Sequence, residues 1–324
     1  MPRELPQFLG RIERADRSVA EALSCPVQVV SRTVWAHFRG VRARTRLTLL
    51  LAPVALLMLG AAIPASAATP TAIVTTYEVS SPRGVLATSG GWAYCSQARP
   101  IALSLRYTLV CGRYVLDGYT GLGLRGKRWM DWGNPVYLDE LAAKIAEVHR
   151  RVGGPLVLAG VSYSGYGVAV LAARHPELRP DRVIVVDSFL DLVARRAHLP
   201  ASHETAREID RETGGTAAAL ALRSPSVSGL AKLVRSGTQL VVVWSTSAAE
   251  RREFQGAMCD ATASAGRLAA LSRQLGRPVE AWVTQNRHGV TFWNYGSRLV
   301  LGGHIGTGFV FRPDGRIPVG ATCP

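Results

Sequence analysis

The chain has 324 residues, of which 48% are hydrophobic and 19% charged, with a formal net charge of +15. This is enough apolar residue for one large folded domain, and no internal repeat or long low-complexity tract points to a solenoid or a disordered protein. The basic excess is mostly Arg and is spread along the chain; without a recognition motif or an aromatic-basic cluster it gives no ground for a nucleic-acid partner, although anionic cell-envelope polymers or membrane surfaces would attract it.

The first 67 residues read apart from the rest. Leu47 to Ile63 is an apolar run of 17 residues behind Arg42, Arg44 and Arg46, followed by Ala65-Ser66-Ala67. A basic flank, an apolar core and small residues at the end describe a secretory signal. The run is short for a membrane span and contains Pro53, so the two readings are a signal removed before Ala68 or a retained N-terminal anchor. Residues 1–67 carry nine Lys/Arg and four Asp/Glu, or +5. The remaining 68–324 therefore carry about +10 of the +15.

From there strand-like and helix-like segments alternate. Arg83 to Thr88 reads as a short strand leading into Ser89-Gly90-Gly91-Trp92. Tyr107 to Cys111 and Tyr114 to Leu116 form a second strand region, ending in Asp117-Gly118-Tyr119-Thr120-Gly121-Leu122-Gly123. A helix is predicted over 136–152, where Leu138, Leu141, Ile145 and Val148 recur at helical spacing. Pro155 to Ala159 reads as a buried strand, and Tyr166 to His175 as a helix stopped by Pro176. Further strands are predicted at 182–187, 239–244 and 279–284, the last followed by Asn286-Arg287-His288-Gly289. Near-continuous apolar strands alternating with helices argue for an α/β fold with a mostly parallel sheet covered on both faces. Between 190 and 236 the strand pattern is interrupted by helical pieces, a small cap or simply a long connection.

The chemistry concentrates in Gly160-Val161-Ser162-Tyr163-Ser164-Gly165, between a strand and a helix. A serine lifted from a sheet edge by so tight a turn needs small residues two positions away on either side, and Gly160 and Ser164 meet that need. This stretch, and the order of elements over roughly 73–305, resembles the α/β-hydrolase superfamily, in which a G-x-S-x-G turn carries the nucleophile. Two positions depart from the pattern: Ser164 stands where the last Gly is usual, and Ser89 where such hydrolases often have His.

The resemblance implies roles residue by residue. Ser162 would be the nucleophile and His288, after the last predicted strand, its base; His304 is a weaker candidate. The acid is expected a few residues after strand 239–244, but Ser247 and Ala248 stand there. Asp187, at the end of strand 182–187, or Glu250 would take that role, with Asp191 a lesser member of the same loop. The backbone N–H of Tyr163, with that of Gly91 or Trp92, would form the oxyanion hole, and the side chains of Tyr163 and Trp92 would line the pocket. His149 and His175 fall near helix ends and suit capping. Pro200 separates His198 from His203, and no Cys-x-x-Cys or His-rich pattern suggests a metal or other cofactor.

Cys25 precedes the cleavage pattern, leaving Cys95, Cys111, Cys259 and Cys323, an even number that suits an oxidising compartment. The pairing the fold implies is Cys95–Cys111 and Cys259–Cys323. The expected protein is thus an extracytoplasmic serine hydrolase acting on a small-molecule or lipid ester, less readily an amide. A cell-envelope acyltransferase with the same triad is the alternative enzyme. A binding protein on a degenerate hydrolase fold is the alternative without catalysis.

Overall fold

The computed structural model describes residues 72–90, 92–114, 131–245, 251–303 and 305–311. The expected signal or anchor, the Asp117–Gly123 loop, Glu250, His304 and Cys323 lie outside the described residues.

Eight strands form one sheet: β1 (Ala72–Tyr77), β2 (Gly84–Thr88), β3 (Tyr107–Tyr114), β4 (Leu156–Val161), β5 (Arg182–Val186), β6 (Gln239–Ser245), β7 (Val279–Thr284) and β8 (Thr307–Phe311). Their order is β1-β3-β2-β4-β5-β6-β7-β8. The six inner strands run parallel, and β1 and β8 pair antiparallel at the two edges. Nine α-helices are described: α1 (Trp92–Leu105), α2 (Pro135–Val152), α3 (Tyr163–Arg174), α4 (Leu192–Ala197), α5 (Glu204–Thr213), α6 (Ala217–Arg223), α7 (Val227–Arg235), α8 (Arg251–Leu275) and α9 (Val290–Val300).

The two-residue period of a strand sorts the core into two layers. Leu156, Leu158, Val183 and Val185 pack with α2, α3, α7 and α8 on one face. Val157, Ala159, Val161, Ile184 and Val186 pack with Cys95 and Ile101 of α1 and Phe292 and Leu299 of α9 on the other. This is why these strands read as unbroken apolar runs. The Cys95–Cys111 disulfide is present, with Cα atoms 5.7 Å apart, and ties α1 to β3. Cys259 is also disulfide-bonded.

Helix α2 spans the interval its periodicity predicts. Asn134 caps it, its side chain accepting from Val136 N at 3.0 Å and Tyr137 N at 3.3 Å, with Pro135 in the first turn. The regular elements between β5 and β6 are all helices, joined by short turns. Leu230 and Leu233 of α7 lie in the core with α3, so α7 covers the sheet, and α4, α5 and α6 fill the rest of the expected cap region. Two expectations are corrected. Helix α3 starts at Tyr163, three residues earlier than read, because it springs directly from the turn at Ser162. Strand 279–284 is not the last: the chain turns through Gly302, Gly303 and Gly306, and β8 returns along β7, a pairing that local apolar pattern did not reveal. Among the described residues, no helix is long and apolar enough to cross a membrane.

Candidate active site

From Leu156 to Ala173 every residue is buried except Ser162. Its backbone explains why. Ser162 sits between the last residue of β4 and the first of α3 with φ 53° and ψ −127°. A residue bearing a Cβ rarely adopts such angles, at a cost of about 1–3 kcal/mol. The turn is held from both ends: Ser162 N donates to Val186 O of β5 at 2.8 Å, and Ser162 O accepts from Gly165 N at 3.0 Å. Gly160 is required, since a Cβ there would collide with the Ser164 backbone. Tyr163 N opens α3 and so has no acceptor within the helix, the usual condition for holding an anion.

Asp187 lies at the end of the neighbouring strand. Val161 of β4 is in register with Val186 of β5, so Ser162 and Asp187 leave the sheet side by side. Asp187 is fully buried, with φ 50°. Its Oδ1 accepts from Ser245 N at 2.5 Å, and its Oδ2 from Ser245 Oγ at 2.8 Å and from Gly289 N at 2.7 Å. Ser245 Oγ is also 2.7 Å from Thr291 Oγ1, which lies 2.8 Å from Thr284 Oγ1. An ionised carboxylate only accepts, so Ser245 donates to Asp187 and the hydroxyl chain runs from Thr284 through Thr291 to Ser245.

His288 is half-buried in the turn between β7 and α9. The Gly289–Asp187 bond pins that turn, and Gly289 packs beside Val161, next to Ser162. Burial pushes the Asp187 carboxyl up; the nearby His288, Gly289 and Ser245 oppose the rise.

The structure therefore brings Ser162, Asp187 and the His288 turn together at the carboxyl ends of β4, β5 and β7. This is the α/β-hydrolase fold. Asp191 instead caps α4 through Ala194 N at 3.1 Å and pairs with Arg267 at 2.8 Å. His149 and His175 make helix-end contacts, with Gly154 O, and with Asp139 and Glu177. His198 and His203 fall at the end of α4 and the start of α5. Gly91 is outside the described residues, and Trp92 is the first residue of α1. Tyr163 departs from expectation: its ring is buried in the core, packed against Trp132, and its phenol donates to Asp131 Oδ1.

Sequence reasoning missed Ser245, Thr291 and Thr284, since isolated hydroxyl residues carry no pattern. It also missed two buried carboxylates. Burial raises Asp131 to about 6 against the opposing bonds from Tyr163 and Gly133. Burial likewise raises Asp260, on α8, to about 6 against Arg195 and His288. Arg195 Nη1 lies 3.3 Å from Asp260 Oδ1, within ion-pair range, but Oδ1 accepts no hydrogen bond. A cavity of about 610 Å³ opens where Asn286, Tyr295 and Arg298 meet β7, but none of Ser162, Asp187 and His288 lines it.

No protein-family model matches the chain, and no curated protein matches it. Solved structures with a similar trace include carboxyl esterase 2 from the mycorrhizal fungus Tuber melanosporum (14% identity, TM-score 0.47, covering 71% of this chain and 82% of that one). Another is the acylaminoacyl peptidase of Pyrococcus horikoshii (14% identity, TM-score 0.48, 70% of this chain and 37% of that one). A thermophilic esterase from Thermogutta terrifontis aligns over 71% of this chain and 90% of its own, at 15% identity and TM-score 0.39. These likenesses concern the trace of the chain; the chemistry follows from its own residues.

Proposed function

We propose that this protein is a serine hydrolase that cleaves a carboxylic ester through an acyl-enzyme. The observation that carries the reading is that Ser162 alone in its stretch is only half-buried, at a strained turn, beside a buried Asp187 bonded to the His288 turn. A serine hydroxyl is a weak nucleophile and needs a base. His288 takes the proton as Ser162 Oγ attacks the ester carbonyl, and Asp187 orients the imidazole and balances its charge. The oxyanion is held by Tyr163 N–H and a second backbone N–H from Gly91 or Trp92. His288 then protonates the leaving alkoxide, and a water activated by the same imidazole releases the acid and frees Ser162. No cofactor enters this cycle.

Helices α4 to α6 lie on the connection that leaves the Asp187 end of β5, which supports a cap. Export from the cytoplasm is supported by the Cys95–Cys111 bridge and by the signal-like sequence before Ala68; intact mass of the exported protein would test it.

The decisive experiment is labelling with a fluorophosphonate. The wild type should take up one label per chain, on the peptide holding Ser162, and Ser162→Ala should take up none. An unlabelled but folded wild type would support the binding-protein reading instead, and labelling that survives Ser162→Ala would move the nucleophile elsewhere.

A further inference from the structure

The mechanism above makes no use of Asp131, yet this fully buried carboxylate reaches the residue next to the nucleophile. Tyr163 donates its phenolic proton to Asp131 Oδ1 and accepts from Trp132 N at 2.8 Å. Asp131 Oδ2 accepts from Gly133 N at 2.9 Å, and Asp131 O from Asn134 N at 2.9 Å and Arg223 Nη1 at 3.4 Å. The Trp132 ring meets the Tyr163 ring edge-on at 5.1 Å. Burial and the adjoining Asp131 hold the Tyr163 phenol in its protonated, donating form.

We infer that Asp131 is a positioning residue for the oxyanion hole, acting through the Tyr163 side chain on the Tyr163 backbone N–H; this rests on the serine-hydrolase reading. The strain at Ser162 persists only if its surroundings over-determine it. On the strand side, Ser162 N is bonded to β5. On the helix side, the next residue is anchored by a phenol that cannot leave its place without stranding a buried proton and a buried carboxylate. Such a group costs about 1–3 kcal/mol when left unpaired. The segment Asp131–Asn134 is itself fixed, because it runs into the capped start of α2. Asp131 thus holds the Ser162–Tyr163 peptide against relaxing toward ordinary backbone angles, which would turn the N–H away from the developing oxyanion.

An anchor of this kind acts in the transition state more than in substrate binding. The test compares Asp131→Asn, Tyr163→Phe and the double variant with the wild type. All rates are expressed per site titrated with fluorophosphonate, so partly unfolded material does not count. Each single variant should lose kcat about 10- to 100-fold with KM nearly unchanged. The double variant should lose no more than Tyr163→Phe alone, because both substitutions act on the one Tyr163–Asp131 contact. Binding of a boronic acid, which forms a tetrahedral adduct on the serine, should weaken by the same factor as kcat/KM. A kcat per site equal to wild type, or a loss confined to KM, would overturn the inference while leaving the hydrolase reading intact. A wild type that neither labels nor turns over esters would remove both.

Discussion

Ser89 and Ser164, the two positions at which the chain departs from the hydrolase pattern, touch each other. Ser164 Oγ donates to Ser89 O and lies 2.8 Å from Thr88 Oγ1, while Ser89 Oγ reaches Ser164 O at 3.4 Å. All three residues are buried. The hydroxymethyl group that stands where a glycine would carry a hydrogen atom at position 164 is thus not a defect in the turn. It fastens the start of α3 to the end of β2.

Ser164→Ala should therefore destabilise the protein by about 1–3 kcal/mol, because the Thr88 hydroxyl and the Ser89 carbonyl lose a buried partner together. Urea unfolding checks it. Ser164→Gly restores the usual motif but should be no more stable than Ser164→Ala. If either variant matched the wild type, the contact would be idle.

The backbone angles at Ser162 predict a separation between activity and stability. Ser162→Ala and Ser162→Gly should both be inactive. Ser162→Gly should be the more stable of the two by about 1 kcal/mol, since relief of strain outweighs the flexibility a glycine adds to the unfolded chain. Equal midpoints for the two variants would mean the turn is not strained.

Asp187 and Ser245 should rank differently. Asp187→Asn should lower kcat by about three to four orders of magnitude, with little change in KM, because the imidazole loses its orienting acceptor and charge partner. Ser245→Ala removes one donor but leaves Asp187 the N–H groups of Ser245 and Gly289, so a loss of about tenfold or less is expected. Glu250→Gln should be silent. Should Glu250→Gln prove crippling and Asp187→Asn mild, the acid would be Glu250.

What could be read in advance follows from how each feature is encoded. Central strands buried on both faces and the Leu138–Val148 stripe are patterns of neighbouring residues, so local periodicity shows them. The Ser162 turn is local too, its strain announced by Gly160. The setting of Asp187 is not local. It depends on Ser245 and Gly289, 58 and 102 residues further along the chain, meeting one carboxylate only after β5, β6 and β7 are aligned. Asp131 and Asp260 were silent for the same reason: a carboxylate becomes unusual through burial, and burial is set by the packing of distant elements. The same holds for Tyr163. Its place in the motif suggested a pocket wall, whereas its phenol found an acceptor 32 residues earlier in the chain.

The two buried carboxylates predict how stability depends on pH. Asp131 and Asp260 each rise from an ordinary 3.8 to about 6 in the folded protein, driven first by burial. A folded value above the unfolded one means that the native state binds more protons between about pH 4 and 6. The stability contributed is complete below about pH 4 and is lost as pH rises through 6. Each group accounts for about 3 kcal/mol at most, from roughly two pKa units at 1.36 kcal/mol each. Asp139 and Asp210, lowered chiefly by their bonds to Arg174 and Arg196, slope the other way, but they lie at the surface where solvent screens them. Comparing variants with wild type removes that background. The stability of Asp131→Asn relative to wild type, by urea unfolding with disulfides intact, should improve between pH 4 and 7, and so should that of Asp260→Asn. By pH 7 Asp131→Asn should be at least as stable as wild type even as its kcat falls, since the cost of a buried charge is relieved while the Tyr163 anchor is weakened. A stability difference that stays flat from pH 4 to 7 would show that these carboxylates titrate normally.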